Sequence, residues 1–128
     1  MAQKPAFPSV PVEFGVKLQN ADGTSVKDFL ASPAGGAMIG VIRAASDDTA
    51  AVTLQFKRTI SGADYVLGEV QIPAGAGTNG TTGWVDVLAG INLGEAMNLP
   101  AGSKLRVAAK TAVASGRTID LIAEGGQF

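Results

Sequence analysis

Three times the chain writes the same tripeptide beside an apolar run: Pro33-Ala34-Gly35, Pro73-Ala74-Gly75 and Pro100-Ala101-Gly102. Proline holds φ near −65° and suits position i+1 of a reverse turn, while a glycine soon after accepts backbone angles that other residues resist. The neighbouring runs are rich in Val, Ile and Leu. A chain that stops extended segments in this way is expected to be all-β. The three sites are spaced unevenly, so no solenoid repeat follows.

Alternation fills in the strands. Val12, Phe14, Val16 and Leu18 share one face of a predicted strand, with Glu13 and Lys17 on the other; period two marks a half-buried strand. Asn20-Ala21-Asp22-Gly23 carries turn chemistry and should end it. Val26–Leu30 is ambiguous and fits a single helical turn. Further strands are predicted over Ala37–Arg43, from Val52 through Leu54 and Phe56, over Tyr65–Ile72, Lys104–Lys110 and Thr118–Ala123, with Gly125 and Gly126 closing the last. Val52–Ile72 reads as an antiparallel hairpin around Ser61-Gly62-Ala63-Asp64. Trp84–Ile91 suits either a two-turn helix, with Trp84, Val87, Leu88 and Ile91 on one side, or a strand. Six or seven strands on one core predict a single-domain jelly roll or β-sandwich over residues 12–128, with at most one short helix. Residues 1–11, with Pro5, Pro8 and Pro11 at every third position, predict an extended polyproline-II-like arm.

Composition narrows the chemistry. The 128 residues include no cysteine and no histidine, so thiolate chemistry, disulfides and imidazole bases are unavailable. Ten basic and eleven acidic residues give a net charge of −1, with Lys57-Arg58 the densest basic cluster; a phosphate backbone needs several converging cations. Direct nucleic-acid binding is therefore not expected. No apolar run approaches the ~18 residues of a membrane span, and Met1–Pro8 lacks the apolar core of a secretory signal. Charged residues are only 16%, which leaves a surface of small and weakly polar residues suited to burial against other subunits.

Each chemical motif meets a simpler reading. Gly75-Ala76-Gly77-Thr78-Asn79-Gly80 matches the dinucleotide fingerprint literally, but Pro73 breaks the strand exit and no long helix follows. Asn79-Gly80-Thr81 is a glycosylation sequon without a secretory context. Asp47-Asp48 lacks calcium-loop spacing and reads as a solvated turn. Glu69, Asp86 and Glu124 show no sign of a glycosidase pair. The single Trp84 is a poor sugar platform and a better core or subunit-contact residue. The expectation is no enzyme, no catalytic residue, no cofactor and no metal ion.

From Leu67 to Phe128 the chain resembles small virion structural proteins of tailed phages. The resemblance rests on Leu67–Gly80, Leu99–Val107 and Lys110–Ile119. It is most like capsid cement or decoration proteins, and it implies a jelly-roll or related sandwich assembled as a homo-oligomer, commonly a trimer, on the virion surface after synthesis in the host cytoplasm. The implied partners are further copies of itself and the major capsid protein. Tail, baseplate and fibre domains use similar β folds, and a carbohydrate-binding β module is a further reading. The candidate shell contact is the arm, through Gln3, Lys4, Pro5, Phe7, Pro8 and Val10. Trp84, Asn79 and Phe128 are the candidate subunit-interface residues.

Overall fold

A computed structural model describes residues 10–94 and 96–128. These form an all-β sandwich of two antiparallel sheets with one four-residue helix. The strands are β1 (Val10–Gln19), β2 (Lys27–Ala31), β3 (Ala37–Ser46), β4 (Val52–Ile60), β5 (Ala63–Ile72), β6 (Val85–Asp86), β7 (Met97–Leu99), β8 (Lys104–Ala109) and β9 (Thr118–Gln127); helix α1 spans Val87–Gly90. The first sheet, sheet A, runs β1-β9-β3-β6, with β7 also on β3. The second, sheet B, runs β2-β8-β4-β5.

The pairing is nested. β4 pairs with β5, β3 with β6 and β7, β2 with β8, and β1 with β9. β6 meets Arg43 and Ala44, whereas β7 meets Ala37 to Ile39. The two short strands thus lie on the same edge of β3, and α1 is an excursion between them. Asp86 opens α1 by accepting the Ala89 N–H at 3.3 Å. Trp84–Ile91 therefore contains both expected alternatives, a strand fragment and one helical turn. Val87, Leu88 and Ile91 point inward as the periodicity predicts, but Trp84 lies outside.

The core lies between the sheets and is filled by the alternating residues. Leu18, Leu30, Ile39, Ile42, Leu54, Phe56, Ile72, Leu88, Leu99, Leu105, Ile119 and Leu121 are essentially fully buried. Each such side chain contributes on the order of 1.5–3 kcal/mol relative to exposure.

Several departures from the predicted elements have local causes. Val26–Leu30 is not a helical turn, because a register shift between Asp28 and Leu30 in β2 breaks the period and buries both Phe29 and Leu30. Consecutive buried residues hide a strand from a period-two reading. β9 runs through Gly125 and Gly126 instead of ending there. A Cβ at Gly125 would lie 2.1 Å from the Met38 carbonyl oxygen, so glycine permits the close approach of β3 at its own irregularity. The hairpin loop is only Ser61-Gly62, with φ of 52° and 84°, the pattern of a type I′ turn. β1 starts at Val10, so Val10 and Pro11 belong to the sandwich, and the predicted arm is shorter at its C-terminal side.

The prolines of the three tripeptides occupy position i, not i+1. Pro33, Pro73 and Pro100 each accept the N–H three residues on, from Gly36, Ala76 and Ser103. Pro73 directly follows β5 and Pro100 directly follows β7; a residue without an N–H suits the place where a ladder stops. Gly75 and Gly102 have positive φ at position i+2, while in the first copy the positive φ falls on the following Gly36.

Candidate functional site

The sandwich has two ends. The first carries the start of β1, the Pro33–Gly36 and Pro100–Ser103 turns, the Ser61-Gly62 hairpin and Phe128. The second carries the Asp47–Ala51 loop, the long Pro73–Trp84 connection and the Val113–Arg117 loop. β3 joins them.

The predicted contact residues divide between these ends. Gln3, Lys4, Pro5, Phe7 and Pro8 lie outside the described residues. Val10 pairs with Gln127 and is exposed. Phe128 follows in the same corner; its N–H donates to the Gly36 carbonyl at 3.1 Å, and its ring is partly exposed. Asn79 and Trp84 are at the opposite end. Trp84 packs beside Gly77 next to Ala45, at the far terminus of β3. Gly36 and Ala45 are nine residue steps apart along β3, a distance of about 30 Å. Trp84 and Phe128 are therefore not parts of one patch.

Asn79 is occupied by its own loop. Its side-chain oxygen accepts the Thr81 and Thr82 N–H groups at 2.9 and 2.8 Å. Thr78 Oγ1 donates to the Ser46 carbonyl at 2.8 Å, and the Gly77 N–H donates to the Thr82 carbonyl at 2.7 Å. The glycine-rich stretch is thus a chain of bonded turns that leads to β6 and the four-residue α1, without the strand–loop–long-helix frame of a dinucleotide site. Trp84 is 48% exposed, and the Arg43 guanidinium lies over its ring at 4.8 Å from the centroid. Stacking holds the ring flat on the outer surface of sheet A.

Asp48 is a residue that sequence reasoning misplaced. It is buried, not solvated. Its carboxylate accepts the Ala114 and Ala50 N–H groups, both at 2.9 Å, and these two bonds hold its pKa below the ordinary carboxylate value against the opposing effect of burial. Its own carbonyl accepts the Gly75 N–H at 3.1 Å. Asp47 accepts the Thr118 N–H at 2.7 Å. Both acids tie loops together. Among the described residues no three His, Cys, Asp or Glu side chains converge in a way that could hold a metal ion.

The outer faces of the two sheets differ in balance. Sheet B carries a network of ion pairs, with Val66 exposed beside Lys57. Arg106 bridges Asp28 and Asp64 at 2.8 and 2.9 Å, Lys104 joins Asp28 at 3.5 Å, and Lys110 meets Glu69 at 3.0 Å. The Thr59 hydroxyl and then Arg106 hold the Asp64 pKa below its ordinary value. Sheet A presents Ile122, Met38 and Trp84 as exposed apolar side chains, with Gly15 beside Ile122 in register. A shallow hollow of about 350 Å³ opens where Gly15 has no side chain, between Lys17, Asp120 and Ile122. Among the described residues the one ion pair on this face is Lys17–Asp120 at 2.9 Å. Glu13 and Glu124 are cross-strand neighbours there, and neither has an ion-pair partner among the described residues.

No protein-family model matches the chain, and no curated protein matches it. The surfaces themselves carry the functional argument.

Proposed function

We propose that this protein is a virion structural protein of the capsid cement or decoration type, which binds an assembled phage shell as a homo-oligomer and stabilises it mechanically. The observation that carries this reading is the contrast between the outer faces. Sheet B carries most of the ion pairs, centred on Arg106, while sheet A leaves Ile122, Met38 and Trp84 open beside Gly15. Apolar side chains exposed on a glycine-containing sheet face suit burial against another protein surface.

The strand order supports the same reading. With β6 and β7 taken as two pieces of one strand interrupted by α1, we read the nested pairs as a rolled ribbon of eight strands, the arrangement of jelly rolls in viral capsid domains. The resemblance read from the sequence over Leu67–Phe128 is in line with this proposal. Binding the assembled shell, and not its parts, stabilises it by mass action. Many copies multiply a modest contact.

Co-sedimentation with empty expanded phage shells tests this. The protein should pellet with shells and raise the temperature at which they rupture, and Ile122→Asp should weaken binding by tenfold or more, as expected for the centre of a contact. Deleting residues 1–9 measures the share of the arm. Recovery with purified tails in place of heads would favour a tail or fibre component. A monomer whose Trp84 fluorescence is quenched by sugars would favour carbohydrate binding.

A further inference from the structure

β1 is an edge strand of ten residues, paired only with β9 among the described residues. In an antiparallel strand the N–H and C=O of one residue point to the same side. The Lys17 carbonyl accepts Lys27 Nζ at 2.7 Å, and the Gln19 N–H donates to Asp22 at 2.8 Å. Neither bond belongs to the β9 ladder. The odd-numbered residues of β1 therefore direct their backbone groups to the free edge. Pro11 has no N–H, and the Gln19 N–H is already used. What remains open is a short window, Glu13, Gly15 and Lys17. Beside it, Val12, Phe14 and Val16 point toward the core but are only half-buried.

We propose that this window pairs with β1 of a second copy, antiparallel, with Gly15 opposite Gly15. This register is self-complementary. Odd residues meet odd residues, so the free N–H and C=O groups of both copies face one another in the hydrogen-bonding positions. Glu13 falls opposite the second copy's Lys17, and Lys17 opposite its Glu13. On the inner side Phe14 meets Val16, and Val12 meets Leu18, which lengthens the apolar layer over the half-buried row. The glycine pair on the two-fold axis keeps the outer surface open at its centre.

The charges favour this occupant. Within one copy, Glu13 lies beside Glu124 with no cation paired to either among the described residues, while Lys17 is held by Asp120. Like charges directly opposite one another are unfavourable. Pairing places a lysine beside the isolated glutamates at both ends of the window. The Lys17 carbonyl can retain Lys27, because a carbonyl oxygen accepts two hydrogen bonds. The two A sheets would become one continuous sheet across a two-fold axis, an isologous contact. This deepens the self-association part of the proposed function and is independent of its shell-binding part.

Sedimentation equilibrium on the full chain, with Glu13→Lys, Lys17→Glu and an equimolar mixture of the two, tests the pairing. The wild type should form dimers or other even-numbered species. Each single variant should weaken association at least about tenfold, since two attractive cross-strand pairs become repulsive. Glu13→Lys also removes the Glu13–Glu124 repulsion, so its fold should be at least as stable, which separates lost pairing from lost structure. Mixing the variants should restore association, because each new lysine then meets a glutamate. A monomeric wild type, a trimer with no even-numbered species, or association unchanged by either variant would overturn the proposal. In the last two cases self-association would remain and only the β1 contact would fail. Shell binding that fails while the mixture still pairs would count against the decoration reading alone.

Discussion

The two ends of the sandwich solve the same problem, closing loops over a core, by different means. At the first end the connections are short and mostly backbone. Gly36 accepts the Phe128 N–H and itself lies 3.3 Å, at its Cβ position, from the Leu99 carbonyl. Two Pro-Ala-Gly turns meet there. At the second end the Pro73–Trp84 connection is long, and it is held by Asp48, Ser46, Thr78 and Asn79. Ser46 is buried, accepts the Asp48 N–H through its hydroxyl at 3.1 Å, and donates its own N–H to the Ala76 carbonyl at 2.8 Å. A tight turn satisfies its own backbone groups. A long one leaves several over, and side-chain acceptors must reach them.

Asp48→Ala should have the largest effect. It removes the charged acceptor of the Ala50 and Ala114 N–H groups, each bond worth about 1.5–3 kcal/mol. The cost in urea unfolding should be about 2–4 kcal/mol, because water reaches these two exposed residues and replaces part of the loss. Hydrogen exchange should accelerate at the second end before the first. An equal acceleration at both ends would remove the distinction between them.

Gly35→Ala probes the first end. A Cβ at Gly35 would stand 2.7 Å from the Phe128 carbonyl oxygen, so the C-terminal residue must shift. The expected loss is about 1–3 kcal/mol, accompanied by release of Phe128. A thermal midpoint equal to the wild type would show that Phe128 is not clamped there.

Acid acts at both ends, through Asp64 at the first and through Asp48 and Asp22 at the second. Asp48 has a lowered folded-state pKa because it accepts backbone N–H groups, and Asp22 because it accepts the Gln19 N–H and then pairs with Lys27. A lowered folded pKa means that the unfolded chain takes up the proton first. The stabilisation is complete above the ordinary carboxylate value of about 3.8 and is lost as pH falls through the folded value. Stability should therefore decline below about pH 4, and Asp48→Asn should flatten that decline. A melting profile of unchanged steepness in Asp48→Asn would exclude Asp48 as its source.

The smallest expected effect is a gain. Ser61→Asn places the residue preferred before glycine in a type I′ turn at a position with φ of 52°. The thermal midpoint should rise modestly, corresponding to about 0.5 kcal/mol. A fall would show that the Ser61 hydroxyl contributes something to the first end beyond the turn.

Much of the architecture is legible in local chemistry. Val12, Phe14, Val16 and Leu18 alternate and face inward, and so do Val52, Leu54 and Phe56. The places where the reading falters are those where period two fails. Phe29 and Leu30 are both buried at a register shift. β6 and β7 are only two and three residues long, too short to display a period. Gly125 sits inside a strand because another backbone approaches it, not because the chain turns. Of the candidate contact residues, Trp84 is exposed as a contact residue would be, while Asn79 spends its side chain on its own loop.

By itself the sequence determined that the chain is all-β, because proline, glycine and the alternation of side chains act on the residues that bear them. Only the tertiary structure decided that Asp48 is buried, that Trp84 and Phe128 lie at opposite ends, and that β1 pairs with β9 alone among the described residues. Those depend on which distant segments meet. Asp48 is buried by a loop sixty-six residues further on, and among the described residues β1 has an open edge because β9, from the far end of the chain, took the other one. No local pattern encodes such a meeting, since the free energy of each contact is realised only when both partners are in place.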